Sequence, residues 1–376
     1  MSGDAALAAA VEDDTVPLQQ VEAELARKLA ASTGTEAGSP TLRARLSNLV
    51  VYCNNDDAAR QVVLAVPDIV AVHPARVVLL MGGSAADGPL RARLDVWCQV
   101  GGEHKICSEQ ITLRADAARA DKLGFAVREL LIGDLPTNLW WQANVPPPFA
   151  GPLLYDLAEH AQQIIYDSIG WTEPAKGVAA TSAWLTKFER GGEHDWHVAS
   201  DLNWRRLKFW RRVLAQALDP NTVPGAVESV TEVVVEHGPH AVVQAWELVS
   251  WLATRLGWKV HVGKVEPNVE IAWQVEAPHG RLRVRIRRLP EGPSEVRRVK
   301  VTCLVGAEQL TFNIAVQDES RLAVVMEGVA TAPRTLAFQP PSLADVVAEQ
   351  LSNRERDPVF RASMRVAEVF ARTVLG

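Results

Sequence analysis

Residues 132–171 read IGDLPTNLWWQANVPPPFAGPLLYDLAEHAQQIIYDSIGW. Thr137–Trp141 is a short apolar run built on a Trp pair. A Pro-rich loop follows, then a helical stretch over Leu153–His160, then a second apolar run over Gln163–Asp167. Strand, loop, helix and strand in that length form the repeating unit of an α/β layer, where a crossover helix joins neighbouring strands. Successive strand residues point to opposite faces, so the rings of Trp140 and Trp141 must lie on opposite sides of the sheet. One is expected in the core, the other over a helix or on a partner surface. The unit carries no phosphate loop, metal cluster or catalytic triad.

Toward the N-terminus the same alternation continues. Leu46–Tyr52 and Arg76–Met81 are strand candidates around a helix candidate over Asp56–Ile69. Arg91–Val100 and Lys105–Leu113 form a hairpin pattern around Gly101-Gly102, and Ala117–Leu131 is helical. Residues 41–178 are thereby predicted to form an α/β domain with a mixed sheet. Ahead of it, Pro17–Ala31 has the spacing of a short amphipathic helix, and 32–40, STGTEAGSP, the composition of a linker. Residues 179–227 form a helical connector. Beyond Ser229–Val235 and a helix over Ala241–Leu256, the pattern turns to antiparallel strands from Trp258, closed by helices over Leu343–Glu355 and Pro358–Val374. Residues 228–376 are thereby predicted to form an α+β domain with an antiparallel sheet.

The chain has 376 residues and a net charge of −6, which argues against general nucleic-acid binding. Its acidic start, MSGDAALAAAVEDD, lacks the basic region of a secretory signal, and no apolar run approaches the length of a membrane span, so a cytoplasmic location is expected. Cys53, Cys98, Cys107 and Cys303 are scattered without a CxxC. That pattern suits buried thiols in a reducing compartment, although sequence does not set their separations and leaves pairing open.

The candidate chemistry is sparse. Leu79–Ser84, LLMGGS, follows a strand but lacks both GxGxxG and GxxxxGK[ST], and reads as a turn. His194 and His197 have a metal-ligand spacing without HExxH. Asp116, Asp121, Glu129 and Asp134 show no catalytic pairing, and Ser108 sits in no GxSxG elbow. Catalytic, cofactor and metal residues are therefore not assigned. Two constellations suit contact with another protein. Arg281, Arg283, Arg285 and Arg287 alternate with apolar residues, which puts four guanidinium groups on one strand face. They form either a solvated face paired with Glu270 and Glu276 or a surface for an acidic partner or phosphate ligand. The helix from Asp201 carries Trp204, Arg205, Trp210 and Arg211, residue types that anchor interfaces, as do Trp140 and Trp141.

Five segments carry a resemblance: HPARVV (73–78), CSEQI (107–111), DLPTNLWW (134–141), IIYDS (164–168) and DLNWRR…WR (201–211). In this order they resemble the glucose-6-phosphate dehydrogenase assembly protein family, OpcA, over most of residues 43–212. The β-rich second half fits that family's second domain in length and position. The resemblance implies a non-enzymatic, cofactor-free partner of glucose-6-phosphate dehydrogenase that promotes its assembly or raises its activity. It would thereby support NADPH supply by the oxidative pentose phosphate pathway. Relatives in photosynthetic bacteria are associated with thiol-based control; the four cysteines here match no regulatory set. The alternative is an α/β enzyme or sensor for a sugar phosphate or nucleotide.

Overall fold

The computed structural model describes residues 15–32, 41–82, 90–101, 104–115, 120–189, 198–328 and 332–375. The segments around His194–His197, Asp116 and Ser84, and most of the 32–40 linker, lie outside the described residues. Nine strands build the first sheet: β1 (Thr15–Pro17), β2 (Thr41–Arg43), β3 (Ser47–Cys53), β4 (Ala75–Gly82), β5 (Arg91–Gly101), β6 (His104–Ala115), β7 (Thr137–Gln142), β8 (Gln163–Tyr166) and β9 (Val198–Asp201). Their order is β1-β5-β6-β4-β3-β7-β8-β9, with β2 beside β6. From β6 to β9 every neighbour is parallel, while β5 pairs antiparallel with β6, so the sheet is mixed. Counted along the chain, the parallel core runs 3-2-1-4-5-6, the doubly wound order.

Helices cover both faces, as a parallel sheet requires. On one face lie Val21–Ser32, Ala120–Leu130 and Pro152–Ala158, packed on Val50, Val78, Leu80, Leu139 and Ile164. On the other, Asp56–Val72 contributes Val62, Val66 and Ile69, in helical spacing, against Leu49, Val51, Val77 and Leu79. All six residues of β7 are buried. Trp141 stacks on Tyr52, its register partner on β3, with ring centroids 4.5 Å apart. Trp140 faces the opposite core, and its indole N–H donates to Gln142 Oε1 at 3.0 Å. Of the two places expected for the second ring, over a helix or on a partner surface, the structure gives the first, because both faces of the sheet are covered.

The second sheet has β10 (Val230–His237), β11 (Lys259–Glu266), β12 (Glu270–Ala277), β13 (Gly280–Arg288), β14 (Val296–Val305), β15 (Glu308–Asp318), β16 (Arg321–Glu327) and β17 (Arg334–Ala337). Their order is β11-β12-β13-β10-β14-β15-β16-β17, with β10 and β13 parallel and all other neighbours antiparallel. Its inner face packs on Val242–Leu256 and Pro358–Leu375 through a chain of edge-on rings. Trp246 lies 5.0 Å from Trp273, and Trp273 lies 5.1 Å from Phe370. Gly263 permits that approach, since a Cβ there would run into Val374 and Thr373. The helix Leu343–Ser352 leaves this sheet and packs on Asp56–Val72 of the first, placing Val346, Val347 and Leu351 in the Trp140 core.

A buried ion network fastens the N-terminal segments. The Glu109 carboxylate on β6 accepts from Arg43 Nε and Arg45 Nη2, each at 2.8 Å, and from Arg76. Arg76 also pairs with Glu22 at 2.6 Å and donates to the Leu130 carbonyl at 2.9 Å. One carboxylate thereby links β2, β4 and β6, and Arg76 extends the link to the helices Val21–Ser32 and Ala120–Leu130. Such a network costs desolvation and works only because its members are mutually bonded.

The cysteines correct the sequence expectation in part. Cys53 and Cys303 are buried free thiols, both pushed up to about 12 by burial. Cys98 and Cys107 form a disulfide, because the β5–β6 hairpin register sets them directly opposite with Cα atoms 4.1 Å apart. Cys98→Ser should lower unfolding free energy by about 2–3 kcal/mol, the chain-entropy value for so short a loop. Urea unfolding of oxidised wild type and variant checks this, and equal midpoints would refute it.

Candidate functional site

In a doubly wound sheet ligands enter at the carboxyl ends of the strands where the order reverses. Here that point lies between β3 and β7. A dinucleotide needs a glycine turn after the first strand and free N–H groups at the following helix N-terminus. The turn after β3 is instead Cys53-Asn54-Asn55-Asp56-Asp57, with no glycine. Asn55 caps the helix, its Oδ1 accepting from the Ala58 N–H at 2.8 Å, and Asp56 and Asp57 occupy the first turn. Their carboxylates already complement the helix dipole and would repel a pyrophosphate. On the same strands the Tyr52 hydroxyl lies against Gly82, where a Cβ would come within 2.8 Å of it. The residues present do not fit a dinucleotide.

Farther along the same edge, three acids from different elements converge. Asp167 follows β8, Asp201 ends β9, and Glu247 projects from Val242–Leu256, a helix otherwise largely apolar. Asp167 takes a two-toothed pair from Arg206, with Nη1 and Nη2 at 2.8 and 2.7 Å. Asp201 Oδ1 accepts from the backbone N–H of Asn203 at 2.9 Å and of Ser168 at 3.2 Å, while Asn203 Nδ2 donates to Ser168 Oγ at 2.9 Å. Complete burial, then the Asp167 carboxylate, hold Asp201 at about 7. Burial and Asp201 push Glu247 well above the usual carboxylate range. Neither Glu247 oxygen meets a donor from another residue among the described ones, so a neutral Glu247 can share its own proton with Asp201. The Tyr166 hydroxyl beside them also lacks a hydrogen-bond partner among the described residues and is raised by burial. The cluster can hold a proton and brace the first sheet against the helix beneath the second. No group of three or more His, Cys, Asp or Glu among the described residues is placed to hold a metal ion.

The tryptophans of the expected contact set are interior. Trp140, Trp141, Trp204 and Trp210 are all buried. Trp204 donates to Asp357 at 2.7 Å and lies under the Arg211 guanidinium, 3.7 Å from its ring centre. Arg211 also donates to the Trp204 carbonyl, and burial lowers it to about 10, so it stays charged at neutral pH. Arg205 donates to Gln350. Trp204 and Arg205 thereby join Leu202–Arg206 to the closing segment at Asp357 and Gln350, while the Trp210 ring packs edge-on against Phe338. The β13 arginines divide. Arg285 pairs with Glu232 at 3.0 Å and Glu270 at 3.4 Å, and Arg287 with Glu270 at 3.2 Å and Glu236 at 3.8 Å. Arg281 and Arg283 are exposed and have no ion pair among the described residues. The acid cluster escaped the sequence reading because Asp167, Asp201 and Glu247 are far apart in sequence. The available signals were polar residues directly after two parallel strands and one Glu inside an apolar helix.

Comparison with known proteins agrees with this layout. The glucose-6-phosphate dehydrogenase subunit N-terminal domain of the OpcA family matches residues 66–183, and the C-terminal domain matches 197–364. A relative from Synechocystis sp. named OxPP cycle protein OpcA is 30% identical over 206 residues, covering 54% of this chain and 41% of the relative. One from Nostoc punctiforme with the same name is 32% identical over 195 residues, or 51% and 40% of the two chains. The matches thus span about two fifths of these relatives. An oxidoreductase structure from Sinorhizobium meliloti aligns over 88% of this chain and 96% of its own, with TM-score 0.50 and 10% identity, which is a likeness of fold. No helix among the described residues is long and apolar enough to cross a membrane.

Two measurements address the acid cluster. Burial and the Asp167 charge push Asp201 up from the ordinary 3.8 to about 7 in the folded chain. Between those values the folded chain keeps a proton that the unfolded chain has released. The stabilisation is therefore full at the acid end, falls as pH rises, and is gone above about 7. Asp201→Asn keeps an acceptor oxygen and removes this dependence. Its stability relative to wild type should rise with pH by up to ~1.4 kcal/mol per unit across that window, and a flat difference would refute the assignment. Arg206→Ala strands the Asp167 carboxylate and should cost about 3–5 kcal/mol in urea unfolding at neutral pH.

Proposed function

The chain belongs to the OpcA family, and from that premise we propose that it is a non-catalytic cytoplasmic partner of glucose-6-phosphate dehydrogenase. It binds the enzyme and shifts it toward an active state, supporting NADPH production in the oxidative pentose phosphate pathway. The single observation that carries the non-catalytic reading is the turn after β3. A fold whose order matches dinucleotide enzymes has, at the phosphate position, Asn54-Asn55-Asp56-Asp57 and a capped helix end. Retaining the scaffold without the cradle suits a protein that contributes surface to an enzyme.

An activator works by binding one conformation of its target more tightly than another. A coupling of about 1–3 kcal/mol corresponds to a 5–150-fold effect, within reach of one protein interface. The acidic turn counts against the alternative of a nucleotide- or sugar-phosphate-binding enzyme, since Asp56 and Asp57 repel a phosphate and Asn55 already takes the Ala58 N–H.

The test adds the purified chain to the glucose-6-phosphate dehydrogenase of the same organism. Higher activity or a lower apparent substrate constant is expected, together with a complex on size exclusion. A parallel titration with NADP and glucose 6-phosphate should give no binding to the chain alone. An unchanged rate without a complex would overturn the proposal, and saturable NADP binding with turnover would install the enzyme reading.

A further inference from the structure

The second sheet has one face on helices and one without a described element across it. The open face carries charge in rows that alternate in sign from strand to strand. β12 presents Glu270 and Glu276, β13 the four arginines, β10 Glu232 and Glu236, and β14 Arg298 and Lys300. The pairing register sets these residues side by side: Glu276 opposite Arg281, Glu232 opposite Arg283, Glu236 opposite Arg287, and Arg298 opposite Glu236. The rows are laced by ion pairs through Arg285, Arg287 and Arg298, the last 3.0 Å from Glu236. Arg281 and Arg283 stay exposed and unpaired among the described residues.

We propose that this face docks on the same face of a second copy of the chain, about a two-fold axis that runs along the strands between β13 and β10. Such an axis exchanges the sides of the sheet while keeping height along the strands. Each β13 then lies over the other copy's β10, and each β12 over the other copy's β14. Basic meets acidic in both layers, and Arg283 reaches the other copy's Glu232, which the register places at its own height. An axis across the strands would lay arginines on arginines. Self-complementarity about a closed two-fold is the condition for an isologous dimer. The area is of the right size: about this axis the six strands from β11 to β15 in the sheet order overlap, and six strands at ~4.8 Å spacing and about eight residues long at ~3.3 Å each give ~760 Å² per copy. A stable interface buries about 800 Å² per partner. Packed sheets cross at roughly 30°, so the match is closest over the four central strands. This dimer is independent of the proposed dehydrogenase contact.

The full-length chain should sediment at twice its 41.0 kDa as concentration rises from low to high micromolar, less so at high salt. Arg283→Glu, on an exposed position, should weaken association about tenfold or more, because the change acts twice across the axis. The double variant Arg283→Glu/Glu232→Arg should restore it, with circular dichroism melting showing that each chain folds. A monomer throughout the range overturns the proposal, as does a dimer unmoved by Arg283→Glu or unrestored by the swap. A chain monomeric alone whose complex with glucose-6-phosphate dehydrogenase is lost in Arg283→Glu would assign the face to the enzyme instead, and would equally overturn it.

Discussion

Two-sided burial of β7 is the constraint on which the rest of the structure depends. Six consecutive buried residues oblige the chain to supply helices to both faces, because a parallel strand has no wet side on which to leave an indole. Trp141 takes its cover from Tyr52 and the helices Ala120–Leu130 and Pro152–Ala158. Trp140 takes it from Asp56–Val72 and from Leu343–Ser352, a helix reached only after the whole second sheet has been laid down. The late helix thus makes the first sheet's core depend on residues some two hundred positions downstream.

The same geometry explains where polar residues gather. The carboxyl ends of β8 and β9 deliver Asp167 and Asp201 to the seam, and the helix behind them delivers Glu247. With solvent excluded, three carboxylates cannot all be charged beside a single tightly bound guanidinium. Asp167 is held by Arg206, while burial drives Asp201 and Glu247 toward the neutral form. At the switch point a few ångströms of chain chemistry have the opposite consequence. Asn55 takes the Ala58 N–H, and Asp56 and Asp57 put negative charge at the helix N-terminus that a phosphate would need, so the dinucleotide order of strands is present without the features that would hold the nucleotide.

Much of the fold was legible because each signal was local. The strand–helix alternation of 42–171, the β5–β6 hairpin pattern and the alternation on β13 all depend on spacing within a few residues. The contact set fared differently. Trp204 and Trp210 carry the composition of an interface, yet Asp357, Arg211 and Phe338 consume them internally. Arg285 and Arg287 found the Glu270 anticipated for them, together with Glu232 and Glu236 from β10, whose parallel place beside β13 no local pattern announces.

The sequence by itself determined the element types, the mixed α/β then antiparallel order, the family, and the absence of a glycine phosphate turn after β3, because these are written in periodicity and residue chemistry over short windows. Only the tertiary structure decided that both Trp140 and Trp141 are buried, that Cys98 bonds Cys107, that Asp167, Asp201 and Glu247 share one dry seam, and that charged rows alternate across the second sheet. Each of these depends on which distant segments become neighbours. That is set by strand order, register and layer packing, which no local window contains.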